Sequence, residues 1–317
     1  MKASVVICTY TDERWDDLVA AIGSVRAQRP TVPELIVVVD HAPTLEARLR
    51  LAYPTSQYPG IQVMPNAGRQ GLSGGRNTGV AAATGEIVVF FDDDATAGID
   101  WIVHLLAPFA DPDVWVTGGL ASPRFDEGRP DWFPPEFDWV VGCTYEGHPV
   151  NGELRNPIGC NMAFRRAAFD GIDGFREDMG RSGTLPLGCE ETELCIRLRQ
   201  ADPSRRIVLA PGAPVTQRVP RQRATVGYFL SRCFSEGLSK AQVSRRVGSD
   251  SGLQSERSYT SRTLPSAVVR NLGGTVRRRS SAGLCRSAMI VVGLAFTLAG
   301  YVRGTLRPVA LTERPEV

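Results

Sequence analysis

The sequence predicts an α/β protein built on a doubly wound, mostly parallel sheet. Four short apolar runs, residues 5–8, 35–39, 61–64 and 87–91, recur in the first hundred residues. Continuous β-branched runs of that length are typical of strands buried on both faces of a parallel sheet. Between the first two, Leu18, Ile22 and Val25 share one face of a helical repeat over 17–25, which gives the order β-α-β. Three of the runs end in polar or acidic residues: Thr9-Tyr10-Thr11, Asp40-His41 and Asp92-Asp93-Asp94. Ligands of such sheets bind beyond the carboxyl ends of the strands, so these are the first candidate site residues.

Further along, residues 68–79 form a glycine-dense loop leading into a small-residue helix over 80–83. Exposed amides at that helix start suit an anion. Neither a G-x-G-x-x-G after a strand nor the G-K-[ST] ending of a P-loop is present, and a plain flexible turn fits equally. Residues 122–147 carry Trp132, Phe133, Phe137, Trp139 and Tyr145 among prolines and acids. They read as an ordered insertion over the sheet edge, whose rings either stack on a sugar or acceptor chain or form a satellite hydrophobic cluster. Residues 188–197 open another helix, with Glu190, Glu191 and Glu193 in its first turns.

From Val226, the positions 226, 229, 230, 233, 234, 237, 238 and 241 follow the i, i+3, i+4, i+7 series of one long amphipathic helix. Arg232, Glu236 and Lys240 lie four apart on another face, where ion pairs support it. Residues 248–265 are rich in Ser and Gly and read as a linker. Residues 287–302 are uncharged between Arg286 and Arg303. At about 1.5 Å per residue that run alone falls short of the ~30 Å hydrocarbon core. A span extended by snorkelling arginines, an interfacial helix and a helix buried in a homo-oligomer therefore all stay open. Arg277-Arg278-Arg279 and Arg286 favour the cytoplasmic side.

With 317 residues, 43% hydrophobic and 22% charged, the chain is long and apolar enough for a full core and for about two domains. Its net charge of +2 argues against a nucleic-acid binder. That total conceals a split: residues 1–200 hold 17 basic against 28 acidic side chains, and residues 201–317 hold 19 against 6. Seven cysteines, never in a C-x-x-C pair, suit neither a disulfide framework nor a zinc site and fit a reducing compartment. The first residues run directly into the apolar stretch without signal-peptide architecture. The expectation is an enzyme body in the cytoplasm, held on the cytoplasmic side of the cell membrane peripherally or by a single C-terminal anchor.

Two acidic constellations carry the chemistry. Three adjacent carboxylates at a buried strand end repel one another, so Asp92-Asp93-Asp94 suits a hard divalent cation, Mg²⁺ or Mn²⁺, shared with substrate phosphates. The alternative is a solvated acidic turn. Glu190 and Glu191 are either partners of a helix dipole or a general base near the metal. No G-x-S-x-G or H-E-x-x-H is present, and there are only three histidines, His41, His104 and His148.

Taken together these pieces resemble the inverting glycosyltransferases of family 2, which have the GT-A nucleotide-diphospho-sugar transferase fold. The residues that match are Val5-Val6-Ile7-Cys8-Thr9-Tyr10, Asp40, Gly75-Arg76-Asn77-Thr78-Gly79, the Asp92-Asp93-Asp94 triplet at the D-x-D position, Asn156-Pro157-Ile158-Gly159-Cys160-Asn161-Met162-Ala163-Phe164-Arg165, and Gly188-Cys189-Glu190-Glu191-Thr192-Glu193-Leu194. They cover residues 3–245 in order. More narrowly, Ile7-Cys8-Thr9-Tyr10-Thr11, Arg14-Trp15-Asp16-Asp17-Leu18-Val19 and Pro135-Glu136-Phe137-Asp138-Trp139-Val140-Val141-Gly142 look like the glucosyl-dolichyl phosphate glucuronosyltransferase-like subgroup.

The resemblance implies a sugar passed from a nucleoside-diphosphate donor, a UDP-sugar, to a lipid-linked or polysaccharide acceptor. Thr9, Tyr10, Asp40, Arg76, Asp92 and Asp93 would contact the donor, and Asp94 with Asp92 the metal. Glu191, with Glu190 beside it, would be the base. One departure stands out: many members place a further metal-ligating histidine where this chain has Gln217, so either carboxylate, phosphates and water would hold the metal, or Arg218 and Arg221 would take part of the charge. The implied organisation is a GT-A domain over 1–245 and, over 246–317, a linker and a basic, apolar, membrane-associating tail. A sugar nucleotidyltransferase and a degenerate membrane-anchored binding module are the rival readings.

Overall fold

The four apolar runs form β1 (Ala3–Thr9), β2 (Glu34–Val39), β3 (Ile61–Pro65) and β4 (Ile87–Asp92), all parallel, with Val5 set between Leu35 and Val89. The computed structural model describes residues 1–181, 186–248, 254–278 and 281–307. The strands lack alternation because both faces are covered. Val5, Ile7, Val37, Val89 and Phe91 face Leu18, Ile22 and Val25 of α1 (Trp15–Arg26). Val6, Val38, Val88 and Phe90 face the opposite layer, where Phe90 meets Phe164, Phe169 and Phe175 edge-on.

After α2 (Pro43–Ala52) and β3, the glycine-dense stretch is already helical: α3 runs Leu72–Ala82, eight residues earlier than the sequence suggests. Its intrinsic propensity is poor, but packing overrides it. A Cβ at Gly79 would sit 2.4 Å from Val6 Cγ1, so the helix lies on β1 at a distance only glycine permits.

The chain then forms β5 (Ala95–Ala97), α4 (Trp101–Leu106), β6 (Val114–Gly118), β7 (Ala121–Phe125), β8 (Asn161–Arg165), α5 (Glu190–Ala201), β9 (Arg206–Leu209) and β10 (Val215–Val219). The main sheet has the order β3-β2-β1-β4-β8-β6-β9, and β8 is its single antiparallel member. A second sheet, β5-β10-β7, is absent from the sequence reading. It forms because β10, from far along the chain, pairs antiparallel with the three residues that follow Asp94. Buried Asn161 ties the two sheets together: its Oδ1 accepts from Trp101 Nε1 at 2.9 Å, and its Nδ2 donates to Leu120 O and Ala213 O at 3.0 and 2.8 Å.

Among the described residues four α-helices follow, α6 (Val226–Val247), α7 (Gln254–Ser258), α8 (Leu264–Arg278) and α9 (Ala282–Leu306), with a π-helical turn over Tyr259–Thr263 joining α7 to α8. Of the expected linker over 248–265, residues 249–253 lie outside the described residues, as does Arg279 of the arginine run. From Gln254 onward the segment is helical instead. Ion pairs and buried contacts fix it: Glu256 binds Arg155 at 2.6 Å and Lys240 at 2.7 Å, and the Tyr259 hydroxyl donates to Glu136 O. The aromatic insertion packs Trp132, Phe133 and Phe137 around Phe229 of α6 as a hydrophobic cluster, while Phe137, Trp139 and Tyr145 also line a cavity. The apolar tail helix also exceeds its uncharged core, extending past Arg303 to Leu306, so its 25 residues are long and apolar enough to cross a membrane.

Candidate functional site

β4 delivers the acidic triplet to the carboxyl edge of the main sheet, where the three side chains diverge. Asp92 opens into a cavity of about 670 Å³ and lies 3.8 Å from the Arg76 guanidinium. Asp93 turns inward, its Oδ1 accepting from Arg14 at 2.6 Å. Asp94 lines the cavity floor and is gripped on both oxygens, by Gln217 Nε2 at 3.1 Å and by Arg223 and Arg14 at 3.0 and 3.2 Å. Burial raises the Asp92 carboxyl and pushes Asp93 up to about 7, against the pull of Arg14.

Opposite the triplet stands the start of α5. Cys189 enters it with a left-handed backbone (φ 71°), an uncommon conformation for a non-glycine residue, and its Sγ contacts Glu236 at 3.2 Å. The next two residues play different parts. Glu190 is buried, bound by Arg76 Nη1 at 2.8 Å. Arg76 also donates to Gly159 O, so it joins α3, α5 and the loop before β8. Glu191 lines the cavity with no ion-pair partner among the described residues, and burial, reinforced by the Glu190 charge, pushes its carboxyl up to about 8. A carboxyl poised near neutrality in a cavity is equipped for proton transfer.

Asp92, Asp94, Arg76, Glu190 and Glu191 therefore share one cavity, while Thr9, Tyr10, Asp40 and Asp93 lie outside its lining. Asp40 instead holds the loop before α3, accepting from Asn66 Nδ2 and Gly71 N at 2.7 and 2.9 Å. Arg218 and Arg221 are not near the acids. Arg218 binds Asp17 and Asp126, and Arg221 binds Glu127, because alternation along β10 turns 218 away from the side that carries Gln217.

Besides Arg76, the guanidiniums near the acids are Arg14, which the sequence marks only within the Arg14–Val19 subgroup motif, and Arg223 and Arg181, which the sequence does not single out. Arg181 lines the cavity with no carboxylate at ion-pair distance among the described residues, and burial with the nearby charges of Arg223 and Arg232 lowers its basicity against the opposing pull of Tyr228 and Asp94. For Arg181 and Arg223 the sequence offers arginine abundance alone, which is shared by the whole chain.

The donor set suits a hard divalent cation. Among the described residues no three His, Cys, Asp or Glu side chains converge. However, Gln217 Oε1 is a buried acceptor without a partner among those residues, beside Asp94 in the lining that Asp92 shares. Oxygen donors of that kind, completed by phosphates, fit Mg²⁺ or Mn²⁺.

A family model described as glycosyl transferase family 2 matches residues 4–173, more than half of the chain. The chain belongs to glycosyltransferase family 2. As a family 2 glycosyltransferase it is 31% identical over 310 residues to the glucosyl-dolichyl phosphate glucuronosyltransferase of Haloferax volcanii, covering 97% of each chain. It is 26% identical over 250 residues to a succinoglycan biosynthesis protein of Rhizobium meliloti, covering 77% and 75%. Among solved structures, a mannosyltransferase of Pyrobaculum calidifontis in complex with GDP-Man and Mn²⁺ superposes with a TM-score of 0.61 over 96% of this chain and 86% of that one, at 17% identity. GalNAc-T7 with UDP, GalNAc and Mn²⁺ gives 0.53 over 74% of this chain, which spans 47% of that one, at 18% identity. The fold is GT-A.

Proposed function

We infer that this enzyme is a metal-dependent, inverting glycosyltransferase that moves a sugar from a nucleoside-diphosphate donor, a UDP-sugar, to a lipid-linked acceptor. The observation that carries the reading is the cavity itself: one continuous space is bordered by Asp92 and Asp94, by Glu191, and by Leu294, Leu298 and Tyr301 of the apolar helix α9. A diphosphate, a proton acceptor and an apolar chain are thereby served in one pocket. The similarity to the Haloferax volcanii protein over nearly the whole chain supports a dolichyl-phosphate-type acceptor.

Asp92, Asp94 and Gln217 Oε1 would hold the cation, which when bound offsets the charge of the leaving diphosphate. Arg181 and Arg223 face the same space and take phosphate oxygens, as guanidiniums do. Thr9, Tyr10 and Asp40, at the ends of β1 and β2, border the nucleotide base. Arg76 positions Glu190, and with it the first turn of α5. Glu191 takes the proton from the acceptor hydroxyl as its oxygen bonds to the anomeric carbon, and the bond from that carbon to the diphosphate oxygen breaks. One displacement inverts the configuration and needs no covalent nucleophile. In this reading residues 1–245 are the transferase domain, and the tail holds it to the cytoplasmic side of the membrane, where the acceptor resides.

The test is direct. The purified protein is given UDP-sugars with Mn²⁺ or Mg²⁺ and a short-chain polyprenyl-phosphate glycoside. Release of nucleoside diphosphate with glycosylated lipid is expected. No diphosphate from the UDP-sugars, with pyrophosphate released in a parallel reaction given UTP and a sugar 1-phosphate, would point to a nucleotidyltransferase, and donor binding without release to a binding module.

A further inference from the structure

The tail helix α9 is long enough to span a bilayer, so length does not decide how it meets one; its packing does. One face of α9 is laid along α6 from Gly293 to Thr305. A Cβ at Gly300 would sit 2.0 Å from Phe234 O, one at Gly237 would sit 2.0 Å from Thr297 O, and Gly304 lies against Ala241 and Leu238. Gly293 closes on the rings of Phe137 and Phe229. Both ends are also tied to the catalytic body: Arg286 donates to Asp131 O at 2.8 Å, and Arg245 donates to Thr305 O at 2.7 Å. The partner helix α6 cannot follow α9 into hydrocarbon, because Arg232, Glu236 and Lys240 project from it into the polar part of the cavity.

The opposite face of α9 is apolar over its whole length. Leu284, Val291, Val292, Leu298, Val302 and Leu306 are exposed, spread along about 33 Å of helix. A water-facing helix surface would carry charge there. Between residues 257 and 307 the chain contains no Asp or Glu, whereas Arg257, Arg262, Arg270, Arg277, Arg278, Arg279, Arg286, Arg303 and Arg307 are all basic. The face is also continuous with the cavity: Leu298 lines it and is at the same time 55% exposed.

We propose that α9 lies in the plane of an anionic membrane, its outer face sunk among the lipid chains, so that the cavity opens sideways into the bilayer. The arrangement is that of an interfacial helix with basic flanks. It deepens the functional reading above and rests on it only in the use made of the opening: the acceptor lipid enters along Leu298 without leaving the membrane.

The experiment uses the full chain without donor or acceptor, so that a failed transfer assay and a failed membrane test are separate results. Flotation with phosphatidylcholine vesicles and with vesicles containing phosphatidylglycerol measures binding, and light scattering measures the state in solution. Binding to the anionic vesicles is expected, weakened on the order of tenfold by Arg303→Gln with Arg307→Gln. Val291→Asp with Val302→Asp should abolish it with little change in the melting temperature, since both side chains are exposed. Nitroxide labels are then placed singly at Leu284→Cys, Val291→Cys, Val302→Cys and Leu306→Cys in a Cys285→Ser background, and their oxygen and nickel accessibilities are compared. Equal, shallow depths at all four positions are expected. A profile deepest at Val291 and watery at both ends means a transbilayer helix and overturns the proposal. Absence of flotation, with the outer face buried in a dimer, overturns it as well.

Discussion

Glu191 and Glu190 provide the sharpest check on the catalytic reading, because the structure assigns them opposite behaviour. Glu191 must be ionised to accept a proton, and with its carboxyl pushed up to about 8 only about one molecule in ten is ready at pH 7 and about one in a hundred at pH 6. The rate with excess donor should therefore climb about tenfold per pH unit below 8 and level off above it. Glu191→Gln should cost on the order of 10²–10⁴ in turnover and remove that acid limb. Glu190→Gln acts in the reverse sense on the limb. It deletes the charge that, after burial, does most to raise Glu191, and it leaves Arg76, which favours the ionised form, without its nearest counter-charge. The midpoint should move down, and each unit of movement raises the rate at pH 6 about tenfold relative to the plateau. A purely structural loss at 190 lowers the plateau and leaves the midpoint in place. The assay is nucleoside-diphosphate release from pH 5.5 to 9.5. An unmoved midpoint in Glu190→Gln, or an acid limb that survives in Glu191→Gln, refutes the assignment.

Three further outcomes follow from the geometry. Asp94→Asn should cut kcat/KM by at least about 10²-fold and weaken Mn²⁺-dependent UDP binding by calorimetry, while Asp93→Asn, whose side chain lies outside the cavity, should cost less and leave metal affinity near that of the parent. Asn161→Ala removes three buried hydrogen bonds and strands the Leu120 and Ala213 carbonyls and the Trp101 indole N–H; a loss of roughly 2–5 kcal/mol is expected, read by urea unfolding. Gly300→Val forces a side chain into the Phe234 backbone, costing roughly 1–3 kcal/mol and exposing α9 to limited proteolysis, whereas Ala299→Val on the exposed side should leave its protection unchanged.

The strands of the half-sheet were legible because their cause is local: a run such as residues 87–91 can hide its side chains only by being covered on both faces. The end of that run, Asp92-Asp93-Asp94, was legible as acidic chemistry for the same reason. The start of α3 was misplaced by eight residues because glycine's propensity and its packing value have opposite signs, and only contact with Val6 shows which prevails. The linker expected over 248–265 was a compositional inference, overturned from Gln254 onward by Arg155 and Lys240, which hold Glu256 from distant parts of the chain.

The sequence by itself thus determined the four parallel strands of one half of the sheet, the acidic strand end, the glutamates at a helix start and the apolar character of the tail, since each is written in neighbouring residues. Only the tertiary structure decided which groups meet them. Gln217 faces Asp94 because β10 pairs with β5 across some 120 residues, Arg14 and Arg223 arrive from two other loops, and α9 lies flat on α6 because glycines far apart in sequence let two backbones touch. Pairings of that kind depend on where the folded chain brings distant segments together, and no local pattern of residue types encodes that.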